Sequence, residues 1–290
     1  MNGRAAITLA LTLALLAASG CSRSSEPAAP PPAPSEAPST PVPPPSPTAV
    51  EATTAVIVYL VEGERVAAVR REARLPSVAA QAVRALLAGP TAAERSRGLG
   101  SAVPTGTALR SLSITAGVAT IDLSGAFASG GGSLSMRMRA AQVVCTLTGF
   151  RTVRSVRFRL DGSPLTALGG EGLILDTPQT AAAFEDLIPP IVIETPQPGD
   201  AAGATLSVRG TADVFEAVFF LEIRDGAGRL LVRRRVLASA GTGTRGRFSA
   251  TLALPSGTGD TGELVGWVTS PKDGSRVVLA RIALRLEDRP

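Results

Sequence analysis

Two adjacent prolines, Pro189 and Pro190, separate two different residue patterns in this 290-residue chain. Before them, segments that alternate like strands are interleaved with segments whose apolar residues recur at helical spacing. After them, only strand patterns and glycine-rich turns follow. Proline has no amide hydrogen and restrains its neighbour, so the pair predicts a connector between two folding units. The predicted fold class is α+β, with a two-layer α/β domain at 53–188 and an all-β immunoglobulin-like sandwich at 189–290.

The first domain is predicted to contain five main strands and three helices. In chain order these are strands at 55–61 and 65–71, a helix at 77–88, a short helix that opens with TAAE at 91–94, strands at 109–115 and 118–123, a helix at 133–149 and a strand at 153–160. The TAAE motif matches a capping box, in which the first and fourth side chains bond each other's backbone amides. Ser77 and Ser133 are the predicted N-caps of the longer helices.

The second domain is predicted to contain seven short strands. They lie at 191–195, 205–209, 217–223, 230–238, 247–254, 263–269 and 276–286. Seven short strands in a segment of this length favour an immunoglobulin-like sandwich, although the cysteine pair of antibody domains is absent from the sequence.

The N-terminal region reads as an export signal followed by a tether. Residues 1–20 combine a basic start with a short apolar stretch, and small residues then lead directly into Cys21, which resembles a bacterial lipobox. Residues 21–52 follow as a proline-rich tether; eleven of the 23 prolines lie between positions 22 and 50. We expect an exported protein whose Cys21 carries fatty acids such as palmitate and anchors it to the outer face of the cell membrane. The alternative is an ordinary signal peptide with a chance cysteine.

Composition excludes several classes of function. The chain has no histidine, which removes histidine bases, Ser-His-Asp triads and histidine metal sites. Aromatic residues make up only 3%, which argues against proteins that stack on bases or sugars. All but one of the 29 basic residues are arginine, a bias that fits a GC-rich genome, so no nucleic-acid partner is expected.

Each remaining candidate for chemistry also has a plain structural interpretation. Cys145 falls on a helical face with Leu134, Met138, Ala141 and Thr148, which predicts a buried thiol. The GTGTRG motif at 241–246 is followed by a strand pattern and not by the helix that a dinucleotide site requires, so a turn is favoured. The glycines at 130–132 precede a helix and could hold an anion, although a flexible connection fits better.

The carboxylates and the lone lysine also favour structural roles. The candidate acid–base or calcium ligands are Asp122, Asp161, Glu171 and Asp176. They show neither a calcium-loop pattern nor the aromatic platforms of sugar hydrolysis, and aspartates beside turns commonly bond backbone amides. Lys272 lies in PKDG, an exposed turn pattern.

Arginines form the candidate interaction surface. Arg233 and Arg235 belong to a run of three, which implies an edge strand or a bulge, because neighbouring side chains in a regular strand point to opposite faces. With Arg229, Arg245 and Arg247 they predict a basic cluster, which either protects a strand edge or contacts anionic wall polymer or lipid headgroups. In the first domain, Arg157 and Arg159 alternate with apolar residues and are predicted to face solvent.

Two sets of motifs resemble known domain families. LLAGPT at 86–91, SAVPTGT at 101–107, VATIDLS at 118–124 and GGEG at 169–172 resemble the GerMN domain of sporulation and germination lipoproteins. PPIVIETP at 189–196, GTA at 210–212, VFEA at 214–217 and KDGS at 272–275 resemble the Gmad2 immunoglobulin-like domain.

The resemblance implies a cell-envelope lipoprotein whose first domain is similar to ring-building domains of secretion machines. It implies no catalytic residues, cofactor or metal, so an enzyme is not expected. The function it favours is a non-catalytic scaffold or protein-interaction module that captures an envelope protein or self-assembles. The alternative is a binding module for anionic or glycan cell-wall polymer.

Overall fold

The computed structural model describes residues 52–169, 172–257 and 259–287. The signal at 1–20, the lipidation site Cys21, the tether up to residue 51 and the candidate carboxylate Glu171 lie outside this part of the chain. None of the helices in the described ranges is long and apolar enough to cross a membrane.

The first domain alternates strands with helices, as predicted. Its strands are β1 Thr53–Glu62, β2 Arg65–Arg74, β3 Leu99–Gly100, β4 Leu109–Thr115, β5 Val118–Leu123, β6 Ser155–Leu160, β7 Ser163–Pro164, β8 Ala167–Leu168 and β9 Leu173–Ile174. Its helices are α1 Val78–Leu87, α2 Ala92–Ser96 and α3 Ser133–Thr148, with short 3-10 turns at Gly125–Ala128 and Ala181–Leu187.

Two small sheets form the β layer of this domain. The first has the order β2-β1-β3, and the second β4-β5-β6-β7. β4 and β5 form an antiparallel hairpin through Ala116 and Gly117, whose φ values of 50° and 83° suit a tight turn of two left-handed residues. β5 and β6 are parallel, and α3 is the crossover between them.

The three predicted helix N-caps differ in outcome. Thr91 and Glu94 form the capping box of α2 with both reciprocal bonds. Ser77 is the N-cap of α1 but its side chain makes no capping bond. The predicted cap Ser133 is wrong: α3 starts at that residue and its N-cap is Gly132, because the glycine loop already supplies the extended backbone that a cap requires.

Helix α3 lies inside the domain and is not a surface helix with one apolar stripe. Every residue from Met138 to Leu147 is buried, whereas Leu134, which the spacing placed on the buried face, is 44% exposed. The polar residues of α3 satisfy the free edge of β1: Gln142 donates to the carbonyl oxygen of Tyr59, and Thr146 Oγ1 accepts from its amide at 3.0 Å. The helix therefore covers a strand edge as well as filling a core.

The second domain is a sandwich of a three-stranded and a five-stranded sheet. All seven predicted strands are present, as β10 Ile191–Thr195, β12 Thr205–Ala212, β13 Val218–Asp225, β14 Leu230–Leu237, β15 Gly246–Ala253, β16 Thr261–Thr269 and β17 Arg276–Leu286, together with the two-residue β11 Ala201–Ala202. The sheet orders are β10-β12-β15 and β11-β17-β16-β13-β14. Phe219, Leu221 and Ile223 on β13 point into the core between the sheets.

The two domains meet around β10. Val192 belongs to the hydrophobic core of the first domain, whereas its neighbours Ile191 and Ile193 belong to the core of the second. Successive side chains of a strand point to opposite faces, so one strand contributes to both cores. Arg70 on β2 also forms a two-bond ion pair with Asp200, at 2.6 and 2.7 Å. The independence of the two folding units stays a prediction.

Candidate interaction surface

A buried carboxylate organises the outer face of the five-stranded sheet. Glu222 alternates with the core residues of β13 and so points away from the core, yet its side chain is fully buried. Three guanidinium groups cover it: Arg224, Arg233 and Arg276 lie within 3.0, 2.7 and 2.8 Å of its oxygens. Burial by itself would raise the pKa of Glu222, but the hydrogen bonds and charges of these arginines outweigh burial and hold the pKa below its ordinary value. The group is a carboxylate that fixes three cations.

An aromatic pair adjoins this cluster. Phe220 and Trp267, which are register partners, stack with ring centroids 4.4 Å apart and an angle of 18° between planes. The guanidinium carbons of Arg233 and Arg276 lie 5.5 and 5.2 Å from the Trp267 ring centroid, within range of cation–π attraction. The same two arginines therefore bind both the carboxylate and the indole.

We call this surface the arginine face. It consists of Phe220, Glu222, Arg224, Arg233, Arg235, Trp267 and Arg276. Three cations surround one anion in its centre, which leaves a surplus of two positive charges. Arg235 adds another charge at the rim, where it is exposed and pairs with no side chain in the described part of the protein. The surface suits an anionic partner that also has apolar area.

The structure explains the run of three arginines by an edge position, one of the two predicted arrangements. β14 is the last strand of its sheet, and all three residues are exposed. Arg233 and Arg235 lie on the outer face, whereas Arg234 reaches round the open edge and donates to the carbonyl oxygen of Thr251 in the other sheet.

The predicted basic cluster is nevertheless not a single cluster. Arg229 holds the β13–β14 turn through an ion pair with Asp225 and lies 65% exposed. Arg245 and Arg247 belong to the loop and strand of β15, in the opposite sheet, so their side chains are separated from those of β14 by the sandwich itself. β14 and β15 follow one another in the chain, but the sandwich places them in two different sheets, so their arginines do not share one surface.

Arg245 lies at the domain boundary and not on an open surface. Its side chain is 13% exposed, and its guanidinium pairs with Glu185 of the first domain at 2.6 Å and donates to the carbonyl oxygen of Pro189. Arg247 is exposed, and its charge acts on Glu194 beside it. These two arginines therefore belong to the junction between the domains.

A cavity of about 310 Å³ at this junction contains Tyr59, Cys145 and Glu194. Burial is the main cause that raises the pKa values of both Tyr59 and Glu194. The Tyr59 hydroxyl lies 3.4 Å from Oε1 of Glu194. Burial raises the pKa of Cys145 to about 12, so its sulfur stays a protonated thiol. The prediction that Cys145 is a core residue is confirmed.

In the first domain, Arg157 is exposed on β6, as predicted. Arg159 is only partly exposed, and its guanidinium donates to the carbonyl oxygen of Gly162. Asp122 accepts from the amide of Gly162 at 3.1 Å and Asp161 from that of Gly125 at 2.9 Å, which confirms the backbone-bonding interpretation of both aspartates.

The glycine-rich motifs form loops in the structure. In the GTGTRG segment, Gly246 begins β15, and no helix follows. In the loop at 130–132, the carbonyl oxygen of Gly130 accepts from the buried Arg139 at 2.9 Å, as those of Phe127 and Ser129 do just before the loop. Lys272 lies in a turn closed by Asp273 and Ser275. No group of three or more potential metal ligands occurs within the described ranges.

Sequence reasoning missed Glu222, Arg224, Arg276 and the Phe220–Trp267 pair. Alternation along β13 was a usable signal, because it places Phe220, Glu222 and Arg224 on the face opposite the apolar residues. Nothing local connects them to Arg276, which lies 54 residues beyond Glu222.

Comparison with known proteins identifies both domains. Residues 45–166 match the family Germane, described as sporulation and spore germination, and residues 190–275 match Gmad2, the immunoglobulin-like domain of bacterial spore germination. The chain thus combines a GerMN-like domain with a Gmad2 domain, two modules of germination-related proteins. No curated protein matches the chain.

The chain also resembles solved structures, each at low sequence identity. The first GerMN domain of GerM from Bacillus subtilis is 22% identical over 44% of this chain and 97% of its own, with a TM-score of 0.36. The tandem GerMN domains of the same protein are 16% identical over 70% of this chain and 62% of theirs, with a TM-score of 0.39. A candidate lipoprotein from Clostridium perfringens is 17% identical over 48% of this chain and 93% of its own, with a TM-score of 0.35.

Proposed function

We propose that this protein is a non-catalytic interaction module of the bacterial cell envelope, exported and anchored by lipidated Cys21 to the outer face of the cell membrane. Its role is that of a scaffold that captures an envelope protein or a second copy of the chain. The germination-related domain families support this role, as does the run of small residues that leads into Cys21.

The arginine face is the observation that carries the proposal. Desolvating a carboxylate such as Glu222 is costly, and a sheet face turned to solvent does not need one for its stability. In return, the carboxylate fixes Arg233 and Arg276 against the indole of Trp267. Side chains ordered before binding lose less entropy when a partner arrives, and arginine and aromatic residues are enriched in protein interfaces. The arrangement fits an acidic patch on a partner protein.

The first domain supplies a second contact surface. Arg157 on β6 lies on the solvent-facing side of the β4–β7 sheet, next to Thr120 on β5 and in line with Ser113 on β4. On this polar sheet face Arg157 pairs with no side chain among the described residues. Such a face suits assembly through sheet surfaces, which is the kind of assembly that the GerMN resemblance implies.

Charge reversal at the rim of the arginine face tests the proposal. Arg235→Glu removes a cation that no described group requires, so the fold should be retained, while crosslinked partner recovered from intact cells should fall about threefold or more. Arg151→Glu is the matched control, because Arg151 is also exposed but lies in the first domain. Equal crosslinking in the wild type and both variants would remove the arginine face from the proposal.

A second candidate function is binding of anionic cell-wall polymer. The indole of Trp267 between two guanidinium groups favours it, because such a site offers both charge and an apolar surface to a polymer repeat. The crosslinked product distinguishes the two functions: protease removes a captured protein, whereas muramidase releases a captured wall polymer.

Lipid anchoring has its own test. Cys21→Ala should abolish incorporation of a fatty-acid analogue and release the protein from membranes or leave it with an uncleaved signal. Cys145→Ala is the control, since Cys145 is buried with its thiol protonated and should not affect labelling. Equal label in wild type and Cys21→Ala would contradict the anchor.

A further inference from the structure

A groove of about 730 Å³ runs between the two domains. Three stretches of consecutive residues line it: 65–69 of β2, 189–193 leading into β10, and 278–282 of β17. Side chains on a sheet face line a groove at every second position, because they alternate between faces. Uninterrupted stretches therefore show that strand edges, with their backbone groups, form the walls.

No strand pairs with the outer edge of β2 within the described ranges, where β2 pairs with β1 alone. β10 packs against β2 at the groove but does not pair with it. β17 pairs with β11 at Arg285 and Leu286, beyond the groove. The opposite edge of the same first-domain sheet is treated differently: side chains of α3 bond both the amide and the carbonyl group of Tyr59. The protein thus covers one edge of this sheet and leaves the other facing a cavity.

The parts of β2 and β17 in the middle of the groove carry no charged residue. β2 carries arginines at both ends but none in the stretch from Val66 to Val69, and β17 likewise has no charge between Arg276 and Arg281. Charged side chains on an edge strand are a common protection against pairing with another chain. Both edges therefore lack this protection in the middle of the groove, and their charges lie where the uncharged stretches end, at Arg65 and Arg281.

We propose that this groove binds an extended, acidic peptide segment of a partner protein, which adds as a strand to the free edge of β2. The proposal rests on the interaction role above and assigns to it a further site, distinct from the arginine face and from the β6 surface of the first domain. The uncharged residues 66–69 of β2 offer about 13 Å of backbone, which is enough for a short strand. The volume of the groove lies within the range of ligand sites. Main-chain bonds would supply affinity, and alternate side chains specificity.

Charge at the rim identifies the chemistry of the occupant. The charged residues that line the groove are Arg65, Arg97 and Arg281 with a single acidic residue, Glu62. Arg281 is already paired with Glu263, so the positive charge open to an occupant comes from Arg65 and Arg97. Arg97 is exposed, and no described group pairs with its side chain. A peptide with acidic residues beside an apolar core therefore fits the groove. The proline-rich segment of the chain itself fits poorly, because proline lacks the amide hydrogen that a β ladder needs.

A random twelve-residue peptide library displayed on phage, selected on the full chain in detergent, tests the proposal. Selected peptides should alternate apolar residues and carry Asp or Glu. Arg97→Glu should weaken the best peptide about tenfold, whereas the matched control Arg84→Glu, at an exposed arginine on α1 outside the groove, should change its affinity less than about twofold. Absence of enriched peptides, or equal affinity in the two variants, would overturn the proposal.

Backbone methylation of that peptide then separates strand addition from side-chain binding. Methylating the amides of every second residue should abolish binding for at least one of the two alternate sets, because one edge of the added strand bonds to β2. Retained binding for both sets would refute strand addition. A dimer of the chain that the peptide dissociates would assign the groove to a second copy and also overturn the proposal. Neither result affects the arginine face, which Arg235→Glu tests separately.

Discussion

Each domain contains an almost fully buried charged side chain, but different kinds of groups stabilise the two charges. Arg139 on α3 is 2% exposed and donates to the carbonyl oxygens of Phe127, Ser129 and Gly130, at 2.7, 3.0 and 2.9 Å. No carboxylate pairs with it among the described residues. Glu222 on β13 is fully buried and is neutralised by three guanidinium groups that reach it from three strands.

The difference shows how a buried charge can serve the interior or the surface. Carbonyl groups of the loop before α3 bind Arg139 inside the domain, and its charge holds that loop in place. Burial lowers the pKa of the Arg139 guanidinium. The groups around Glu222 are long cationic side chains whose outer parts stay at the surface. The first arrangement therefore stabilises a fold, and the second orders a positively charged face.

The largest expected effect comes from Arg139. Arg139→Met should destabilise the full chain by about 3 kcal/mol or more, because several loop carbonyl groups lose charged donors inside the domain. Arg137→Met on the same helix is the control; its pair with Asp186 is largely exposed and should contribute less than about 1 kcal/mol. Denaturant unfolding measures both. Similar midpoints for the two variants would contradict a special role of Arg139.

Arg139 and Glu222 are predicted to belong to separate folding units. Fragments 53–188 and 189–290 should each unfold cooperatively, but the first should be less stable than a fragment extended to residue 196. The shorter fragment lacks Val192, whose burial in the first-domain core is worth about 1.5–3 kcal/mol. Calorimetry of the three fragments provides the measurement. A molten 53–188 or 189–290 would mean that the domains share one core.

A smaller effect, with a distinct pH dependence, is expected from Glu222. Its folded pKa lies below the unfolded value, so its stabilising contribution is present above the unfolded pKa and is lost as pH falls through the folded pKa. Glu222→Gln should cost about 1–2 kcal/mol at neutral pH, and the difference from wild type should shrink below about pH 4. Glu263→Gln, at an exposed pair in the same sheet, should cost less than about 1 kcal/mol. A pH-independent difference would show that the carboxylate charge is not what orders the arginine face.

The smallest effect on stability is expected at the surface of the first domain. Arg157→Glu/Arg159→Glu should change the free energy of unfolding by less than about 0.5 kcal/mol, since neither side chain is buried. Crosslinked species in intact cells should nevertheless decrease, because the reversed charges repel an acidic partner. Identical crosslink patterns in both strains would remove this face of the first domain from the proposed scaffold.

Local signals in the sequence were sufficient for most of the fold. The capping box at Thr91 and Glu94, the Ala116–Gly117 hairpin and the seven strands of the second domain all depend on residues a few positions apart. Turn chemistry and side-chain alternation act over that same distance, so the sequence alone determined where most elements begin and end and which face of each strand in the second domain is apolar.

Tertiary structure decided which of these faces meet. It placed α3 inside the domain, so that Arg139 became a buried cation, and it sent β14 and β15 to opposite sheets, which divided the predicted arginine cluster. It also brought Arg276 to Glu222 from another strand. The spacing of residues along the chain does not predict such contacts. They depend on which segments, distant in sequence, cover each face of a helix or strand. The order of strands in the sheets, and not the run of arginines in the chain, therefore built the arginine face.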